Sequence, residues 1–110
     1  MSEDRLQQDC YVWFHNAYPE LRGLLFHVPN GGARNGREAK KLKWMGVVPG
    51  VSDLIFLYQR KIYFIELKTE IGTQSKVQKD WQLNVESQGL EYYIIRSLDQ
   101  FNWLIKDIIK

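Results

Sequence analysis

An aspartate, then a glutamate thirteen residues later, then a lysine two positions beyond it, form the pattern in this chain best suited to chemistry. They are Asp53, in Pro49-Gly50-Val51-Ser52-Asp53, and Glu66-Leu67-Lys68. Side chains alternate along a strand, so Glu66 and Lys68 face one side and Leu67 the other. Two acids on one face can hold a divalent cation. A lysine beside them can steady an attacking water or the charge growing on a phosphate. The pattern therefore points to metal-dependent phosphodiester hydrolysis. Residue types alone leave a plainer reading open, in which Asp53 is a turn acid and Glu66 and Lys68 are a surface pair on a half-exposed strand.

Whether Asp53 and Glu66 meet depends on the segment between them. Residues 54–58 and 62–68 are rich in branched and aromatic residues and read as two strands, with Gln59-Arg60 as their hairpin connection. A hairpin centred between Gln59 and Arg60 sets Asp53 directly opposite Glu66, on the same face and roughly 5 Å apart at Cα. A loop of two or four residues keeps that register, and a slip by one residue puts the acids on opposite faces. Carboxylates so close repel unless something positive lies between them. Magnesium, or manganese in its place, is the natural partner because both prefer oxygen ligands. The backbone carbonyl of Leu67 is a candidate third protein ligand. Phe64, Ile65 and Leu67 sink Glu66 into apolar surroundings, which is costly for a carboxylate without a partner.

The elements that must position these residues follow from periodicity. Residues 3–17 read as an amphipathic helix capped by Ser2, with Leu6, Cys10, Trp13, Phe14 and Ala17 on its apolar face. A short strand at 24–28, a loop at Pro29-Asn30-Gly31-Gly32 and a basic helix at 34–45 ending at Gly46 come next. After the hairpin follow a helix from about Val77 to Gly89, a strand at 91–95 and a helix at 98–109. The order α-β-α-β-β-α-β-α predicts an α/β protein with a small mixed sheet flanked by helices.

At 110 residues, 45% of them apolar, the chain is expected to be one domain, residues 1–110, with a real core. No apolar run is long enough to span a membrane, and Met1–Arg5 does not read as a signal peptide. A single cysteine, Cys10, excludes an internal disulfide framework and a cysteine-cage zinc site, and suits a reducing cytoplasm. His15 and His27 lie in separate elements, which also argues against zinc; His27, between Phe26 and Val28, reads as structural. No phosphate-loop or dinucleotide fingerprint is present, so no nucleotide cofactor is expected.

Net charge is only +2, yet residues 34–43 hold Arg34, Arg37, Lys40, Lys41 and Lys43 against Glu38 alone, a local +4. Such a patch on a near-neutral body fits docking to a polyanion, although a solvated helix face has the same composition. Asn30 and Gly31, in the glycine-rich loop, could let backbone amides approach a phosphate.

The ordered set of Glu3 and Gln7, Pro29-Asn30-Gly31-Gly32, Gly46 through Asp53, Glu66-Leu67-Lys68 and Gln78 resembles the virus-type replication-repair nuclease (VRR-NUC) domain, a branch of the PD-(D/E)XK nuclease superfamily. The resemblance runs nearly end to end. It implies a restriction-endonuclease-like fold and a Mg2+-dependent endodeoxyribonuclease. Asp53 and Glu66 then look like the metal ligands and Lys68 like the catalytic lysine. Glu3 looks like the first-helix acid that supports the metal, directly or through water, with Asp4 as its alternate. Gln78 looks like the glutamine that orders the lysine or the scissile phosphate. The resemblance further implies 5′-phosphate products, branched DNA such as a four-way (Holliday) junction as substrate, a homodimer, and a phage or prophage source acting in the host cytoplasm in DNA repair. Flaps or plain duplex as substrate, or a non-catalytic DNA-binding module of the same fold, are the alternatives.

Overall fold

The computed structural model describes residues 1–29 and 36–110. Its elements are α1 (Glu3–Ala17), a 3-10 turn (Pro19–Leu21), β1 (Leu25–His27), α2 (Gly36–Trp44), β2 (Leu54–Tyr58), β3 (Lys61–Leu67), α3 (Lys76–Ser87), β4 (Glu91–Ile95) and α4 (Leu98–Ile109). The element order matches the one read from periodicity, with the 3-10 turn added after Pro19. Arg34, Asn30 and Gly31 lie outside the described residues.

The four strands form one mixed sheet in the order β1-β2-β3-β4, with β1–β2 and β2–β3 antiparallel and β3–β4 parallel. The parallel pair needs a crossover, and α3 supplies it. Alternation along β3 divides the core. Tyr63, Ile65 and Leu67 pack with Leu6, Cys10 and Phe14 of α1 and with Phe101, Leu104 and Ile105 of α4. Phe64 turns the other way and packs with Val85, Tyr92 and Trp81 under α3. Two layers of helix thus enclose β3, which is why Tyr63 through Leu67 are all buried.

The hairpin register is the one expected. Leu54 pairs with Ile65 and Tyr58 with Lys61, leaving Gln59 and Arg60 as a two-residue loop. Both loop residues take positive φ, 47° and 69°, the backbone of a type I′ turn. Neither is a glycine or asparagine. The strand pairing therefore imposes the turn, against a local cost of order 1 kcal/mol per residue.

Ser2 caps α1 through its Oγ, which accepts the Arg5 N–H at 3.0 Å. That cap fixes where the first-turn acids Glu3 and Asp4 project, and their charges suit the positive end of the helix dipole. Cys10 is fully buried in the core, and burial pushes its thiol up to about 12, so it is inert packing rather than a nucleophile. Among the described residues, no helix is long and apolar enough to cross a membrane.

Candidate active site

Asp53 sits one residue before β2 and is fastened on both sides. Its carbonyl accepts the Val28 N–H at 3.1 Å and meets His27 Nδ1 at 2.7 Å. Its carboxylate Oδ2 accepts the Leu67 N–H at 2.8 Å. The backbone ladder between β2 and β3 ends at Leu54–Ile65, and the Asp53 side chain takes over the next β3 donor. The acid is thereby held against the strand that carries Glu66.

Glu66 is 1% exposed, and Ile65 and Leu67 on either side of it are fully buried. Its Oε2 accepts a hydrogen bond from Gln78 Nε2 at 3.1 Å and lies 3.9 Å from Lys68 Nζ. Its Oε1 is buried with no hydrogen-bond partner among the described residues. Burial first, then the Asp53 charge, raise the Glu66 carboxyl to about 8; Lys68 opposes this and Glu3 adds to it.

Lys68 is 6% exposed and lies between two acids, with Nζ 3.9 Å from Glu66 Oε2 and 4.0 Å from Glu3 Oε2. Glu3 therefore joins the site through the lysine. Asp4, its alternate, lines the neighbouring cleft with Gln7, Gln8, Asp53 and Gln78. The cleft has a volume of about 630 Å³, and Pro29 and Pro49 through Val51 complete its mouth. Glu66 and Lys68 do not line it.

The structure fixes the orientation of Gln78. Ser75 caps α3, and in the reciprocal capping box the Ser75 N–H donates to Gln78 Oε1 at 2.9 Å. With that oxygen committed, Nε2 is the end that reaches Glu66. The Ser75-Lys76-Val77-Gln78 spacing is a capping-box signature, so this role of Gln78 was readable from sequence without any resemblance. The close approach of α3 depends on Gly50 (φ +86°), where a Cβ would lie 2.3 Å from the Val77 carbonyl oxygen.

Three further residues belong to the site. His27, read as structural, is anchored to Asp53 and also lines the cleft. Tyr92, on the α3 side of the sheet, has its hydroxyl pushed upward by burial and then by the Glu66 charge. Gln74 Nε2 donates to that hydroxyl at 3.2 Å and to Gln82 Oε1 at 2.9 Å. No local pattern marks Tyr92, because its place depends on β4 pairing in parallel with β3.

Of the basic residues, Arg37, Lys40, Lys41 and Lys43 all lie on α2, which has no buried residue, and Trp44 at its end is 89% exposed. The cleft-lining residues Val28 and Pro29 precede this helix in the chain, and Pro49 through Val51 follow it.

The donor set suits a hard divalent cation. Asp53 and Glu66 offer carboxylate oxygens, and Glu66 Oε1 is an orphaned buried acceptor. Among the described residues no cluster of three or more His, Cys, Asp or Glu side chains is placed to hold a metal.

No family model and no curated protein sequence matches the chain. Solved structures do. One, a VRR_NUC domain protein, is 24% identical, with 97% of this chain and 87% of that chain covered and a TM-score of 0.81. Another, a VRR_NUC domain, is 22% identical, with 94% of each chain covered and a TM-score of 0.61. At these identities the likeness is one of fold, and this chain folds as those VRR-NUC domains do.

Proposed function

We propose that the chain is a metal-dependent DNA endonuclease. The observation that carries the reading is the carboxylate pair, buried Glu66 with an orphaned oxygen beside half-buried Asp53, backed by Lys68, with Asp53 lining a cleft. The fold shared with domains named as nucleases supports it.

Asp53 and Glu66 would hold Mg2+, or Mn2+ in its place, with the Leu67 carbonyl as a further donor. The bound cation supplies a Lewis acid for the phosphate and a water of lowered pKa. Asp53 presents its carboxylate from the cleft wall. Gln78 keeps Glu66 Oε2 turned toward Lys68. The Lys68 ammonium orients the attacking water and offsets charge gathering on the phosphate. Glu3 holds the other side of that ammonium. Arg37, Lys40, Lys41 and Lys43, together with Arg34, grip the phosphodiester backbone, which gives affinity without sequence reading. Asn30 and Gly31 are the further phosphate contacts in this reading. Products carry a 5′-phosphate.

The substrate in this reading is branched DNA. A two-fold dimer presents two sites to a symmetric four-way junction. Cleavage of matched junction, flap and linear duplex with Mg2+ tests this. Wild type is expected to cut the junction fastest. Lys68→Met is expected to slow cleavage by roughly 10²–10³-fold. Faster cutting of flap or duplex would replace the substrate assignment. Junction binding without cutting in either Mg2+ or Mn2+ would leave a DNA-binding module.

A further inference from the structure

A second groove opens beside the cleft, between α1 and the edge strand β1. It has a volume of about 420 Å³ and is walled by Gln7, Gln8, Tyr11, Val12, Phe26 and His27. Three of these, Gln7, Gln8 and His27, also line the cleft, so the two depressions share a wall. Tyr11 and Val12 stand one helical turn beyond Gln7 and Gln8 on α1. The apolar side chains are open to solvent: Tyr11 is 38% exposed, Val12 56% and Phe26 37%. Neither ring belongs to the two core clusters, and the ring neighbour of Tyr11 is His15, with centroids 6.0 Å apart.

We infer that this groove is a subsite for one unpaired nucleobase next to the phosphate in the cleft. The inference rests on the nuclease reading and narrows its substrate class. Tyr11 and Phe26 offer ring faces on which any base can stack. The Gln7 and Gln8 amides, at the shared wall, carry both donors and acceptors for a base edge. A base inside a duplex is stacked on both faces and cannot enter. The groove therefore favours DNA with an unpaired nucleotide beside the cut, as at a flap, a gap or an opened junction. A second copy of this chain is the competing occupant, but an apolar self-interface would not need to run into a polar cleft through two glutamines and a histidine.

The test is anisotropy binding in EDTA, so that nothing is cut, with a flap series in which one base at a time is removed to leave an abasic site. Wild type is expected to show one position where removal costs about tenfold in Kd, the scale of one base–aromatic stack. Tyr11→Ala is expected to bind the intact flap about tenfold more weakly and to lose less than twofold on base removal at that position. Phe26→Ala checks the opposite wall in the same way. Equal abasic costs in wild type and variants, or no sensitive position, overturn the subsite. So does a Tyr11→Ala protein that sediments as a monomer where wild type is a dimer while keeping the full abasic cost, since a second copy would then cover the groove. Coupling in EDTA without cleavage in Mg2+ or Mn2+ would sink the nuclease reading alone, and cleavage without coupling would sink the subsite alone.

Discussion

Replacing Glu66 by glutamine is expected to make the protein more stable in EDTA at neutral pH while reducing cleavage on the order of 10³-fold. The two effects have one cause. Glu66 is 1% exposed and faces Asp53, so its carboxyl is raised from 4.5 to about 8. Between those values the folded protein holds a proton that the unfolded chain has released. The contribution of Glu66 to stability is therefore full below about pH 4.5 and is lost as pH rises toward 8. Each unit of raised pKa is worth about 1.4 kcal/mol, so the loss reaches a few kcal/mol. Glutamine is neutral, keeps the shape, and can still accept from Gln78. Its advantage in thermal melts should be clear near pH 8 and close to nil near pH 4. An E66Q protein that melts below wild type at pH 8, or gains equally at both pH values, would contradict the account of the acid pair.

Gly50→Ala is expected to cost roughly 2–5 kcal/mol, combining left-handed backbone strain with overpacking. The added Cβ would meet the Val77 carbonyl oxygen at 2.3 Å and its carbon at 2.7 Å, with the Gln78 nitrogen at 3.1 Å. These are backbone atoms at the start of α3 and cannot swing aside as a flexible side chain would. The helix end must move, and Gln78 moves with it. Activity should therefore fall further than the folded fraction does. Gly46→Ala is the control, because Gly46 also has a positive φ, +99°, but open space around it. Denaturant melts of the two variants separate strain from collision. Equal losses would mean that the approach of Gly50 to α3 is not what holds Gln78 in place.

Much of this site could be read from the chain because strand geometry is periodic. One hairpin centre fixed which residue faces Asp53, and the ladder from Leu54–Ile65 to Tyr58–Lys61 agrees with it. The turn was legible in position but not in chemistry, since Gln59 and Arg60 take left-handed backbone without a glycine or asparagine to announce it. First-helix geometry was partly legible. Spacing put Glu3 and Gln7 on one face, yet the structure sends Glu3 to Lys68 and Gln7 to the cleft wall. Residues one turn apart on α1 can still meet different partners, and only tertiary packing decides which. Tyr92 and the contact of Gly50 with α3 were illegible for the same reason, as both depend on where the crossover helix returns.

Whether Asp53 and Glu66 form a divalent-cation site is decided by calorimetric titration of Mn2+ into wild type and Asp53→Asn at pH 7, in two buffers of different ionisation enthalpy. The account expects wild type to bind Mn2+ and to release about one proton per cation, since the Glu66 proton must leave, and it expects binding to be lost in Asp53→Asn. Absence of binding to wild type, or binding that releases no proton and survives Asp53→Asn, would contradict it.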